Sequence, residues 1–348
     1  MRNSLLTILV LLITVVSLTH LLGACRKEQK IKGLTRLQQE IPTGFPTPAY
    51  TFSDNPLTKE GFELGRRLFY EPRLSIDNLT PCASCHQQIA GFGTFEHDRS
   101  HGVNNSHTLR NAPVLFNLAW NNSFHWDGEF SNLTDAAAQP INGHLEMGES
   151  FEGVIDKIEK DQTYREDFKK VFGSPFIRPE HILKALSQFT GYLVSANSKY
   201  DKVVKGQESF TTQEQNGYNL YKANCASCHP EPLFTDQRFR NIGLPVDALL
   251  NDFGRMRITG LRQDSLKFKT PTLRNCYISS NYMHDGRFNT LSQCINHYRS
   301  GIQISATLDP LLSSPISMSD AQALDLFRFL RTLTDSSFLQ DSRYSRPQ

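Results

Sequence analysis

The pentad Cys-Ala-Ser-Cys-His occurs twice in this chain, at residues 82–86 and again at 225–229. Two thiols with this spacing can add to the two vinyl groups of a haem, and the histidine that follows then sits beneath the iron as its proximal ligand. The residues concerned are Cys82, Cys85 and His86 in the first copy and Cys225, Cys228 and His229 in the second. Together they predict two covalently bound haem c groups. A four-cysteine zinc site shares the Cys-x-x-Cys pairs. Here, however, the pairs begin 143 residues apart, and zinc gives no use for a histidine after both of them.

The elements that must position these groups also recur. Gly65-Arg66-Arg67-Leu68-Phe69 is matched by Gly217-Tyr218-Asn219-Leu220-Tyr221, each on an expected helix leading toward its pentad. Thr211 to Glu214 has capping-box spacing and starts the second of these helices. Thr108-Leu109-Arg110-Asn111 pairs with Thr272-Leu273-Arg274-Asn275, and Asp127-Gly128-Glu129-Phe130-Ser131-Asn132-Leu133 pairs with Asp285-Gly286-Arg287-Phe288-Asn289-Thr290-Leu291. The chain therefore reads as two duplicated, mostly α-helical haem domains with long irregular loops. An amphipathic segment closes the first half, with Ile182, Leu183, Leu186, Phe189, Leu193 and Val194 at helical spacing, and a polar stretch over 197–215 links the halves.

Upstream, Arg2, an apolar run over 5–22 and Leu22-Gly23-Ala24-Cys25 read as an export signal ending in a lipobox. The expected organisation is a signal peptide over 1–24, a tether over 25–55 with Cys25 lipid-bearing, a first haem domain over 56–200 and a second over 201–340. An uncleaved anchor is the rival for the apolar run. Either reading places the remainder outside the cytoplasm, in the periplasm or cell envelope. With 39% apolar and 21% charged residues the chain can fill two cores, and a net charge of +2 gives no indication of nucleic-acid binding.

The duplication also exposes a difference between the sites. Seven residues past Leu291 stands Tyr298, whose phenolate can ligate ferric iron; seven past Leu133 stands Pro140, which has no side-chain donor. The first iron is expected to have an open position. Glu146, six residues beyond Pro140, is the candidate acid/base group there, as peroxide chemistry would require. Met283 is the other candidate distal ligand of the second iron. Trp126 precedes Asp127-Gly128 where His284 precedes Asp285-Gly286, so an electron path between the haems and a core aromatic are both open readings for the tryptophan. His97, His107, His125, His144, His181 and His297 are read as surface or core histidines. Cys276 and Cys294 are candidates for a disulfide.

Taken together, Leu64-Gly65-Arg66-Arg67-Leu68-Phe69, both pentads, Ser100-His101-Gly102, Arg110-Asn111-Ala112-Pro113, Trp126-Asp127-Gly128, Glu146-Met147-Gly148, Thr270 to Asn275 and Tyr282 to Gly286 resemble the bacterial di-haem cytochrome c peroxidases. The resemblance extends to the related enzymes that mature methylamine dehydrogenase. It implies hydrogen peroxide reduction at the N-terminal haem and electron entry at the C-terminal haem from a small donor such as a cytochrome c or cupredoxin. It further implies Trp126 on the path between haems, Glu146 as distal acid/base, and His101 as a residue that blocks the first iron at rest. A calcium ion between the halves is implied too, with Asn111 offering its side chain and Ser279 and Asn281 their carbonyls, as is a homodimer. Two positions depart from the peroxidase pattern. Tyr298 stands where methionine is usual, as in the maturation enzymes, and Ala136 replaces a glutamine near the distal site. The alternatives are oxidation of a protein side chain through a bis-ferryl state, and a non-catalytic di-haem electron carrier.

Overall fold

The computed structural model describes residues 33–348; the expected signal peptide and Cys25 lie outside them. Helices dominate. Five of them organise the sites: α1 (Lys59–Phe69), α2 (Pro179–Tyr192), α3 (Thr212–Asn224), α4 (Leu291–Asn296) and α5 (Asp320–Arg331). A short antiparallel ribbon pairs β1 (Phe239–Arg240) with β2 (Phe268–Lys269), Phe239 opposite Lys269.

Four of these helices start where the sequence offers a side-chain cap, while α2 starts with Pro179 in its first turn. Thr58 accepts from the Gly61 amide at α1 (3.0 Å). At α3 the expected capping box forms, Thr211 accepting from the Glu214 amide (3.2 Å) while Glu214 accepts from the Thr211 amide (2.7 Å). Thr290 with Gln293 and Ser319 with Gln322 do the same for α4 and α5.

Two helix pairs build two cores. α1 lies on α2 and α3 lies on α5, in each case through a glycine that a side chain could not replace. A Cβ on Gly65 would sit 1.9 Å from the Ala185 carbonyl oxygen, and one on Gly217 2.0 Å from that of Asp325. Such close approach lets Phe69 meet Phe189 at 5.1 Å between ring centroids, and Tyr221 meet Phe329 at 5.1 Å.

The loops repeat as well, at the level of backbone angles. Phe92 and Phe234 both have positive φ (59° and 54°), as do Asn117 and Asn275 (56° each) and His125 and Met283 (63° and 72°). Bridges Phe124 to Phe130 and Tyr282 to Phe288 close the same turn in each half. These angles re-register one repeat element. Asn275 corresponds in space to Asn117, each just before a short 3-10 helix (Leu118–Trp120 and Cys276–Ile278), and not to Asn111 as the Thr-Leu-Arg-Asn match suggests.

Three boundaries shift from the sequence reading. The described part of the expected tether is packed: Leu34 and Phe52 are buried, Tyr50 N–H donates to Ala119, and the Pro46 carbonyl accepts from Trp120 Nε1 (2.7 Å). The polar link carries a capped helix, Lys199–Val204, whose Tyr200 belongs to the second core. At the chain's end, Phe338 and Tyr344 return to the core of the first half. The halves are pinned at Ser195. Its backbone exchanges hydrogen bonds with the Asn117 side chain (3.0 Å each), and its hydroxyl accepts from Asn275 (2.9 Å) and donates to buried Asp335 (3.1 Å).

Candidate active site

The two pentads enter equivalent settings. His86 Nδ1 is bonded to the Phe92 carbonyl (2.9 Å) and His229 Nδ1 to the Phe234 carbonyl (3.1 Å), the acceptors being the two residues with matching positive φ. This fixes Nδ1 as donor and leaves Nε2 as the lone-pair face. Burial lowers the His86 imidazole to about 4, and it lowers His229 in the same direction, so both rings are neutral and able to ligate. Cys82, Cys85, Cys225 and Cys228 are unbridged thiols. A half-buried imidazole with an oriented second nitrogen beside two free thiols is the donor set that haem c needs, in both halves. Cys276 and Cys294 are also unbridged here, so the disulfide suggested by the sequence is not formed.

What faces the two pentads differs. Glu146 lies within electrostatic reach of Cys82 and Cys85 and is half-buried. Its backbone is held on both sides: its N–H donates to Gly143 (2.8 Å) and its carbonyl accepts from Val103 (2.8 Å), on the loop that carries His101. Burial raises its carboxyl above the usual glutamate range. Nearby Glu129 adds to this, while a hydrogen bond from Gln139 and the charge of His125 pull the other way. The Gln139 amide donates to Glu146 Oε1 at 3.1 Å. An amide therefore does serve this carboxylate, from the short helix Ala138–Asn142 rather than from position 136.

His125, read from sequence as an ordinary surface or core histidine, lies within electrostatic reach of this site. It lines the space between the halves, and its charge is felt by both His86 and Glu146. The signal was present in the sequence: His125 stands one residue before Trp126, as the candidate ligand Met283 stands one before His284. Of the remaining histidines, His181 stacks on Phe172 and His297 is bonded to the Ile242 carbonyl (2.8 Å). His144 is exposed. His101 is exposed, its ring between those of His97 and His107 (4.5 and 4.4 Å between centroids) and its carbonyl against Cys85 Sγ (3.8 Å).

At the second pentad, Tyr298 is half-buried beside Cys294, Cys225 and Cys228, and desolvation pushes its phenol up. Met283 lines the same cavity. Both expected distal candidates are thus within the second site, Tyr298 from the π-turn following α4 and Met283 from the turn equivalent to that of His125.

Between the sites runs a short hydrogen-bonded path. Trp126 Nε1 donates to the Asn111 carbonyl (2.8 Å), and the Asn111 N–H donates to the His284 carbonyl (2.8 Å). His284 is buried with its ring on Phe268 at 3.6 Å. The junction is locked by Arg110, which reaches Asp127 at 2.6 Å within its own half and Asp252 at 2.6 and 2.9 Å in the other. Asn111, Ser279 and Asn281 all line this junction. The Asn111 amide nitrogen donates to the Asp98 carbonyl (2.9 Å) and the Ser279 hydroxyl to that of Asn281 (2.7 Å).

The chain is similar to known proteins. The family described as di-haem cytochrome c peroxidase (CCP_MauG) matches residues 59–209. The methylamine utilization protein MauG of Methylorubrum extorquens is 35% identical over 285 residues, covering 80% of this chain and 79% of that protein. Cytochrome c551 peroxidase of Nitrosomonas europaea is 37% identical over 237 residues, covering 67% and 71%. Among solved structures, a MauG-like protein associated with microbial copper homeostasis superposes with a TM-score of 0.83 at 31% identity, covering 89% of this chain and 99% of that one. With two equivalent haem-binding donor sets on one duplicated frame and relatives matched over most of their length, the chain belongs to the di-haem cytochrome c peroxidase family, a family of haem c oxidoreductases that includes the MauG proteins.

Proposed function

We propose that this protein reduces hydrogen peroxide to water at the site of His86, with electrons entering at the site of His229 from a small redox protein such as a cytochrome c or cupredoxin. The observation that carries this reading is the unequal furnishing of two pentads whose histidines are held alike. The first faces an oriented carboxyl with a donor amide, Glu146 with Gln139, while the second faces Tyr298 and Met283. Bound haem supplies an iron that coordinates the oxidant or passes electrons. The side chains do the rest. Glu146 accepts the first proton of peroxide and returns one to the departing oxygen, so that two electrons and two protons convert the oxidant to two waters. Gln139 keeps the carboxylate aimed during both transfers. Trp126, Asn111 and His284 form the contact through which the halves communicate.

Further parts of the reading rest on the same resemblance: His101 as the residue that closes the first site at rest, calcium held by Asn111, Ser279 and Asn281, a periplasmic location with a lipid on Cys25, and a homodimer. Among the described residues no helix is long and apolar enough to cross a membrane. Tyr298 supports a second reading, oxidation of a protein side chain, because an anionic oxygen ligand would stabilise the oxidised second iron.

The test is oxidation of ferrocytochrome c by peroxide after partial reduction of the holoprotein. Stoichiometric consumption is the expected result. No consumption overturns the peroxidase reading, and a first site that stays six-coordinate in every redox state makes the protein an electron carrier.

A further inference from the structure

The turn preceding Trp126 brings a second polar group near the first site. His125 sits at φ 63°, a backbone conformation that ordinarily selects glycine, so its presence needs a compensating interaction. The structure supplies two. Its Nδ1 faces Glu129 Oε2 at 3.2 Å, and its Nε2 faces the Ala136 carbonyl at 3.1 Å. Both partners are acceptors, and a ring donates to both only as the imidazolium. The ring edge is further set by Phe130, at 5.0 Å and 77°.

The Ala136 carbonyl is the last of the helix Leu133–Ala136, and the next helix, Ala138–Asn142, carries Gln139 onto Glu146. His125 thus clamps the segment whose amide aims the carboxylate. We propose that His125, oriented by Glu129, is a positioning residue for Glu146: it anchors the Gln139-bearing helix and, when its ring donates to both acceptors, brings a positive charge near the carboxylate, making good the side chain that Ala136 lacks.

The groups facing Glu146 are few. They are Gln139 on the short helix, His125 and Glu129 on the turn, and the thiols of Cys82 and Cys85 on the pentad. Glu129 is itself held below the usual glutamate range, first by the hydrogen bond to His125, with Arg110 and Arg257 contributing charge. Removing the cation and removing its carboxylate partner therefore have opposite consequences. Without His125 the carboxyl of Glu146 keeps its proton to higher pH; without the Glu129 charge it gives the proton up at lower pH.

The inference rests on the peroxidase reading for its kinetic consequence but not for its measurement. The experiment titrates the carboxyl band of Glu146 by infrared difference spectroscopy in resting holoprotein, the band being identified by its loss in Glu146→Gln. It compares His125→Gln, His125→Gly and Glu129→Gln, with peroxide turnover against pH followed in parallel. His125→Gly suits the left-handed backbone, so it keeps the fold should His125→Gln lose it. The expected result is a midpoint moved up in both His125 variants and down in Glu129→Gln, with the turnover limb following. Midpoints unchanged in the His125 variants, or moved in one direction by all three, overturn the proposal. Shifted midpoints without peroxide turnover would leave it standing and sink the peroxidase reading instead.

Discussion

Superposing the halves in the mind's eye brings Gly65 onto Gly217, Phe92 onto Phe234, Asn117 onto Asn275 and His125 onto Met283. Everything that holds a haem from its proximal side is shared. Among the differences, two bear on the groups facing the pentads: the turn before the Asp-Gly pair, with His125 in one half and Met283 in the other, and the segment after the shared leucine, with Pro140 and Glu146 against Tyr298. Duplication has thus kept the costly parts, two close helix packings and two oriented imidazoles, and assigned each half its role through a handful of side chains. On the proposed reading, the peroxide site and the electron-entry site differ less in fold than in the few side chains that face each pentad.

The largest effect should come from removing the acid/base group from the half that has one. Glu146→Gln is expected to lower peroxide turnover by about 10² to 10⁴-fold while the second-site spectrum stays as it was. A loss smaller than tenfold would mean that the inequality of the cavities does not lie in this carboxylate. Next is the lock between the halves. Arg110→Ala leaves Asp127 and Asp252 buried without their cation, at a cost of roughly 3 to 5 kcal/mol in a denaturant titration.

The same lock has a pH signature. Burial alone would raise Asp252, but the Arg110 hydrogen bonds and charge outweigh it and the carboxyl is held below its ordinary value of 3.8. Its contribution is therefore complete above about pH 4 and is lost as pH falls through the depressed value, so Arg110→Ala should flatten that part of the acid limb. An unaltered limb would show that the ion pair does not report on the junction.

A third test exchanges the character of the second half. Tyr298→Met should raise the second midpoint potential by on the order of 0.1 V, whereas Met283→Leu should leave it in place. The reverse outcome would identify Met283 as the ligand. The smallest effect tests the shared frame. Gly65→Ala and Gly217→Ala each drive a methyl into a carbonyl and should each cost about 1 to 3 kcal/mol. Clearly unequal costs would argue that the two helix pairs are not equivalent supports.

Much of this was legible in the chain because it is local. Pentads, capping residues such as Thr211 and Glu214, and the helical spacing from Ile182 to Leu193 are set by neighbours a turn away. What was missed depends on register across long loops. The identical letters Thr-Leu-Arg-Asn outweighed spacing, although Asn117 and Asn275 stand equally far before Trp126 and His284. His125 was passed over because a lone histidine carries no sign of the carbonyl and carboxylate that meet it. Gln139 was passed over because the amide was sought at position 136, one helical turn earlier. The packed stretch over 33–55 reads as a tether since its buried residues, Leu34 and Phe52, follow no period.

The return of Phe338 and Tyr344 to the first core sets an order of events for a chain made from its N-terminus. The half synthesised first cannot finish packing until the last residues have emerged, because Gln88 and Arg66 bond to carbonyls at Asp341, Arg343 and Ser345. Until then Cys82, Cys85 and His86 belong to an incomplete structure, open to the machinery that must add a bulky cofactor. Phe338 and Tyr344 thus tie the first half's core to residues that follow both pentads in the sequence.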